Sequence, residues 1–332
     1  MNIYITLDYE MFFGDHSGSV EDCFIKPTND LLAIVNPYNI KLVIFVDVGY
    51  LVQLENFKSN FPQLQKDYDK ICQQIEYLGN SGHAIELHIH PHWENTIYDG
   101  KKWVFDTSQY RLQDFSKAEA YHIITKYYST LSRISGTTPI AYRAGGWSAQ
   151  PFSHIKDALA DCNVFIDSTT YPNGYYESSN QFYDFKKVPQ YKTIYRFESN
   201  LVVEESNGRF IEYPISSSKV SPLFFWRFAL EKLKKSEQHV SYGKGSAIKK
   251  PKKEILRLMT TYSNSVVSID GYKANFLEKA FKKYIKNTNE NAHFVIIGHP
   301  KAFTPYSLQK TKAFIANHVK HHNFTTFKKN AL

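Results

Sequence analysis

Four of the chain's thirteen histidines fall in one stretch, His83-Ala84-Ile85-Glu86-Leu87-His88-Ile89-His90-Pro91-His92-Trp93. Ile85, Leu87 and Ile89 alternate with Glu86, His88 and His90, the period of a β-strand with one apolar and one polar face. Pro91 has no N–H to give to a ladder, so the strand ends there. Imidazoles massed at the end of a buried strand cost free energy unless something satisfies them. A metal ion, proton transfer, or both are the chemistries that call for them. A fold that contains this stretch must bury a strand and open its far end to a site.

The rest of the chain alternates between strand and helix periods. Further strands are expected over 2–8, 41–48, 140–143, 163–167, 210–215 and 292–298. Helices are expected over 27–35, 50–57, 64–78, 116–132, 150–161, 222–234, 251–261, 273–286 and 306–319. Ser116 with Glu119 reads as a capping box, and Ser148 as the cap of the helix over 150–161. The run from Lys41 to Val48 is almost continuously apolar, as in a sheet covered on both faces. Strands alternating with helices predict a parallel α/β fold. Polar residues collect where strands end, at Asp8, His88 to His92, Arg143, Asp167 and His299, and that rim is where a (β/α) barrel carries its chemistry. No composition break marks a linker. One domain over 1–332 is expected, with insertions at about 93–115, 169–208 and 236–272.

Composition narrows the function classes. A chain of 332 residues can bury one barrel-sized core. No apolar run reaches the roughly 20 residues of a membrane span. The N-terminus reads as a strand rather than a leader, so a cytoplasmic location is expected. Cys23, Cys72 and Cys162 are too scattered for a disulfide framework. Much of the net charge of +8 comes from Lys232, Lys234, Lys235, Lys244, Lys249, Lys250, Lys252 and Lys253. That run contains Gly243 and Gly245. It reads as a solvated loop, with peripheral contact to an anionic lipid surface or a phosphate-bearing substrate as the alternative. No nucleic-acid recognition motif is present.

His88 and His92 are four apart, and a chain turning over at Pro91 can aim both at one ion. Zinc and similar divalent ions take imidazole nitrogen plus carboxylate. Of Asp8 and Glu10, one can complete a metal site and the other act as general base. Arg143 can pair with a carboxylate and hold it aimed. His299 suits a general acid, with Asp167 on its other ring nitrogen. His90 shares a face with His88 and is a substitute ligand or a substrate contact. His83 is structural.

The order of these motifs resembles the polysaccharide deacetylase, or NodB-homology, family of carbohydrate esterases. Thr6-Leu7-Asp8-Tyr9-Glu10 stands for its first motif. Gly82-His83-Ala84-Ile85-Glu86-Leu87-His88-Ile89-His90-Pro91-His92 stands for the second, with the family's two metal histidines in register with His88 and His92. Tyr142-Arg143-Ala144-Gly145-Gly146-Trp147, Phe165-Ile166-Asp167-Ser168 and Ile296-Ile297-Gly298-His299-Pro300 follow in order. The resemblance implies a distorted (β/α)7 barrel and a divalent metal, zinc above all. The reaction it implies is removal of acetyl from an N-acetylated sugar of a glycan precursor. It implies Asp8 as base, held by Arg143, and His299 as acid, tuned by Asp167. The family's second aspartate, a metal ligand, is Tyr9 here. Glu10 follows it on the opposite strand face, so a bulge or early turn is expected if Glu10 is the third ligand beside His88 and His92. The rival expectations are a metal-independent amidohydrolase of the same fold and a catalytically silent glycan-binding barrel.

Overall fold

The structure is a computed structural model, and it describes residues 1–234, 236–246 and 252–328. Its main sheet contains strands β1 (Asn2–Tyr9), β2 (Val43–Asp47), β3 (Ala84–Ile89), β4 (Ala141–Ala144), β5 (Ile166–Asp167), β6 (Tyr195–Phe197), β7 (Phe210–Glu212), β8 (His293–Gly298) and β9 (Asn323–Phe324). Helices α1 (Lys26–Val35), α2 (Val48–Phe57), α3 (Pro62–Asn80), α4 (Lys117–Ser135), α5 (Lys156–Asp161), α6 (Pro222–Lys234), α7 (Lys252–Thr260), α8 (Leu277–Asn287) and α9 (Pro305–His318) complete the frame. Seven strands run parallel in the order β7-β5-β4-β3-β2-β1-β8. This is the expected α/β architecture, a curled (β/α) half-barrel.

The seam between β7 and β8 is bridged by backbone beyond both strands. The Ser216 N–H donates to the Val295 carbonyl at 3.0 Å, and the Val267 N–H to the Ser216 carbonyl at 2.7 Å. Ser268 then pairs with Ile297, whose carbonyl accepts from the Ile269 N–H and whose N–H donates to the Val267 carbonyl, both at 3.0 Å. Residues 267–269 thus act as a short strand against β8, which sets Asp270 at the barrel mouth. No strand was expected there.

Strand β2 is buried at every position, as expected for a strand with helices outside and a packed barrel inside. Direction alternates along β1. Tyr9 points outward, its hydroxyl donating to Gln74 Oε1 of α3 at 2.6 Å. Glu10 therefore needs no bulge. Two residues beyond Asp8, it lies on the same inward face, and both line the same cleft.

Helix α4 starts on the expected capping box, with Ser116 Oγ accepting from the Glu119 N–H at 3.2 Å. The helix expected over 150–161 is shorter. Pro151 is extended (φ −75°, ψ 132°), so a single 3₁₀ turn, Phe152–His154, precedes α5. Ser148 does not cap it; its hydroxyl donates to the Gly146 carbonyl. The first two expected insertions hold small antiparallel pairs, Ile97–Tyr98 with Trp103–Val104 and Gly174–Glu177 with Phe182–Phe185, while Ser263–Val266 of the third pairs with Ser217–Val220 outside it. Lys235, Lys249 and Lys250 of the lysine-rich run, and position 251 of the expected helix, lie outside the described residues. Among the described residues no helix is long and apolar enough to cross a membrane.

Candidate active site at the barrel mouth

Strand β1 delivers Asp8 and Glu10, β3 delivers His88 and His90, β4 delivers Arg143, and β8 delivers His299 and, in the next turn, Lys301. Glu10, His88 and His90 are buried together, and one ligand atom from each lies within 4.8 Å of the others. Glu10 Oε2 is 3.3 Å from His88 Nε2 and 2.7 Å from His90 Nε2. His90 has extended backbone (φ −108°, ψ 93°), so the period of two carries past the strand end and keeps it on the face of His88. Gly145 permits the close fit: a Cβ there would come within 2.6 Å of His90 Nδ1.

His92, the expected second ligand, is not in this group. The 3₁₀ turn Pro91–Asn95 carries its ring beneath the neighbouring loops. It lies parallel to Tyr110, with centroids 5.3 Å apart, and edge-on to Phe13. Neither of its ring nitrogens has a partner among the described residues. Burial holds it well below the ordinary histidine value, with the His90 charge adding to the effect.

Arg143 ties the two halves of the site together. It is fully buried, and its Nη1 donates to Asp8 Oδ1 at 2.6 Å and to Thr6 Oγ1 at 2.9 Å. Its Nε and Nη2 are satisfied by the Ser168 carbonyl and hydroxyl. Its own carbonyl accepts from His88 Nδ1 at 2.8 Å. The resemblance implies that Arg143 holds Asp8, and the distances are those of such a pair.

His299 is partly buried, and its Nε2 faces Asp8 Oδ2 at 3.6 Å. Its Nδ1 is held by Asp270 Oδ2 at 2.7 Å, while its backbone N–H donates to Asp270 Oδ1. Burial pulls the imidazole down, but the Asp270 carboxylate, with Asp8 and Glu10 behind it, raises it above its ordinary value. Asp270 itself is held low against burial by the His299 charge. Asp167, expected in this place, does other work. It accepts from the Thr169 N–H at 2.8 Å and sits against Glu212 across the β5–β7 pair. Burial raises both carboxyls, and the Asp167 charge drives Glu212 further up.

Two site residues escaped the sequence reading. Asp270 ends the apolar run Val266-Val267-Ser268-Ile269, the same strand-then-acid signal that marked Asp8, but inside a segment read as an insertion. Lys301 donates to Glu10 Oε1 at 2.9 Å and to the Met11 carbonyl. Only its distance of two residues from His299 hinted at it. With Lys301 and the two histidines around it, Glu10 is held well below the carboxylate range although burial opposes this.

Asp8, Glu10, His88, His90, His299 and Lys301 floor a cleft of about 590 Å³, walled by Phe13, Tyr110, Trp147, Tyr176 and Tyr183. Aromatic walls over a few convergent polar groups are the build of a small-ligand site.

No family model and no curated protein sequence matches the chain. Solved structures do. A protein from Mycobacterium smegmatis assigned as a polysaccharide deacetylase superposes over 99% of this chain and 88% of its own, at TM-score 0.50 and 14% identity. The chain has the polysaccharide deacetylase fold. Puue allantoinase shares it over 98% of this chain and 86% of its own, at TM-score 0.51 and 11% identity. So does 4-alpha-glucanotransferase from Thermococcus litoralis, over 98% of this chain and 39% of that one, at TM-score 0.53 and 10% identity. At these identities the likeness is one of fold, and what the site can do is set by the side chains at its mouth.

The side chains fit a cation. With Nδ1 donating to the Arg143 carbonyl, a neutral His88 presents the lone pair of Nε2 to a Glu10 oxygen. Two acceptors face each other unless a proton or a metal ion lies between them. Glu10, His88 and His90 would hold such an ion. The Arg143 carbonyl would fix the ring of His88, as outer partners of metal histidines do.

Proposed function

We propose that the chain is a metal-dependent hydrolase that removes acetyl from an N-acetylated sugar of a glycan precursor. The observation that carries this reading is the convergence of the buried Glu10–His88–His90 group with Asp8 and His299 on one aromatic-walled cleft. A divalent ion held by Glu10, His88 and His90, zinc by these ligand types, would supply Lewis acidity to an acyl oxygen and to a water. Asp8, aimed by Arg143, accepts the proton of the attacking water. His299, kept protonated by Asp270, gives a proton to the leaving amine nitrogen. Asp8 Oδ2 and His299 Nε2 are 3.6 Å apart, so proton acceptor and proton donor sit side by side on the floor of the cleft. Arg143 and Asp270 act through these two and are positioning residues.

The test is acetate release from N-acetylhexosamine oligomers and from carrier-linked N-acetylated sugars. Release that stops on chelation and returns with zinc or cobalt is the expected result. No acetate from any N-acetylated sugar, with the glycan still bound, would leave a binding barrel instead.

One contact favours a second reading. The Lys301 ammonium offsets the Glu10 charge without any ion, which suits a metal-independent amidohydrolase on the same fold. Activity that survives exhaustive chelation would select it.

Asp270→Asn separates positioning from structure. Loss of the carboxylate lowers the His299 value, so His299 loses its proton at lower pH. The alkaline limb of the rate profile is expected to move to lower pH. A fall in kcat of about 10–100-fold, the usual cost of a lost supporting partner, should accompany it. An unmoved alkaline limb would show that His299 is not the acid.

A further inference from the structure

The outer face of α6 is apolar where a solvated helix would be polar. Leu223, Trp226, Leu230 and Leu233 recur at intervals of three, four and three, so they form one stripe along the helix. Their exposure runs from 52% for Trp226 to 76% for Leu233. The opposite face holds the helix to the barrel: Phe224 packs on Tyr272 and Phe276, and Phe228 stacks on Tyr272. Helix α7 lies alongside, tied by the Trp226 indole N–H donating to the Met259 carbonyl at 3.0 Å. It extends the patch with exposed Ile255 and Leu256. Scattered exposed leucines are ordinary, but a continuous stripe on two adjoining helices is not.

Charge surrounds this patch on one side. A hollow of about 470 Å³ opens at the first turn of α6. Leu223 and Phe224 form its apolar wall, and Lys219, Arg227, Lys279 and Lys283 supply cations. No carboxylate lines it among the described residues. Lys283 donates to Ser218 Oγ at 3.4 Å and Lys219 lies over the Tyr262 ring. Further along α6, Lys232 and Lys234 add positive charge, with Lys234 paired to Glu231. Pairing two copies through this face would set Arg227 near its own equivalent, which opposes self-association. Apolar side chains beside a hollow whose cations face no carboxylate among its described lining residues match an anionic bilayer surface, where leucine and tryptophan enter the acyl boundary and cations meet headgroup phosphates.

We infer that the α6–α7 face docks on an anionic phospholipid bilayer, the leucine–tryptophan stripe entering the interface and the lysine–arginine hollow taking headgroup phosphates. The docking stands independently of the deacetylase reading. Where both hold, a lipid-carried substrate has a route to the chemistry. A hollow of about 620 Å³ beside Phe225, Arg257 and Leu258 of the two helices shares Trp147, Tyr176 and Tyr183 with the catalytic cleft.

The test is co-sedimentation of the full chain with vesicles of phosphatidylcholine plus phosphatidylglycerol, against phosphatidylcholine alone. The chain is expected to pellet only with the anionic vesicles, and less as salt rises. Trp226 emission should shift to the blue on binding, a change absent from Trp226→Phe. The combined Leu223→Gln, Leu230→Gln and Leu233→Gln variant should lower partition by at least about tenfold. Lys279→Glu and Lys283→Glu should each lower it by about fivefold. Unchanged thermal unfolding checks that these surface variants fold. Absence of pelleting with anionic vesicles overturns the proposal, as does pelleting that the leucine variant leaves intact. A concentration-dependent dimer that the leucine variant abolishes, without vesicle binding, would assign the face to a second copy instead.

Discussion

Replacing Arg143 by methionine is expected to cost about 3–5 kcal/mol of folding free energy, the cost of breaking a buried ion pair from one side. The methionine keeps the apolar stem but removes every donor. Asp8 Oδ1 loses its 2.6 Å partner and stays in the barrel as a buried carboxylate, with His299 Nε2 at 3.6 Å from its other oxygen as a weaker partner. The Ser168 carbonyl and hydroxyl lose their donors as well. The guanidinium also rests over the Phe45 ring, 4.1 Å from its centroid, so stacking is lost with the charge. Urea denaturation measures the effect. Adding Asp8→Asn to the methionine variant should restore part of the loss, because the stranded charge is then gone. Arg143→Lys should recover less than charge alone suggests, since an ammonium cannot span Asp8, Thr6 and Ser168 together. A cost below about 1 kcal/mol would place Arg143 among pairs that contribute little.

The same arginine shows what a sequence discloses about such a barrel. Its position was legible because strand ends are legible: an apolar run stops, a polar residue follows, and a glycine turn begins. Asp8, His88, Arg143 and His299 were all found that way, and the structure brings all four to one mouth. What spacing does not carry is side-chain direction after a strand ends. His92 and His90 both lie near Pro91, and only the backbone shows that His90 stays extended while the turn takes His92 away. Glu10 was judged from Tyr9 rather than from Asp8. A regular strand puts residues two apart on one face, so no bulge was needed. Asp167 and Asp270 expose a different limit. Both end short apolar runs, and the choice between them depends on which segment pairs with β8 across the barrel seam. That pairing joins residues 267–269 to 297 through two backbone hydrogen bonds, too short a run to carry a strand period.

The exchange of His92 for His90 gives the other large effect. His90→Phe should reduce zinc affinity by more than the about 100-fold that loss of a supporting contact costs. Deacetylation should fall with it. His92→Phe should leave zinc binding in place, measured by titration calorimetry and by metal content after dialysis. Stability supplies an independent readout. His92 is buried with both ring nitrogens unpartnered among the described residues, and a phenyl ring of similar shape removes two unsatisfied polar atoms, a change that can be neutral or stabilising. The sign of its pH dependence follows from its depressed value in the fold. The unfolded chain takes up a proton on this ring below about pH 6.5 while the folded chain does not. His92 therefore carries no titration penalty above that pH, and it destabilises the fold increasingly as pH falls below it. His92→Phe should reduce that acid-side loss of Tm, leaving the part due to His83, His293 and His322, which burial also holds low. If His92→Phe instead strips the zinc while His90→Phe keeps it, the ion sits beneath Tyr110, and the Glu10–His88–His90 group is an ion-pair network held together by Lys301.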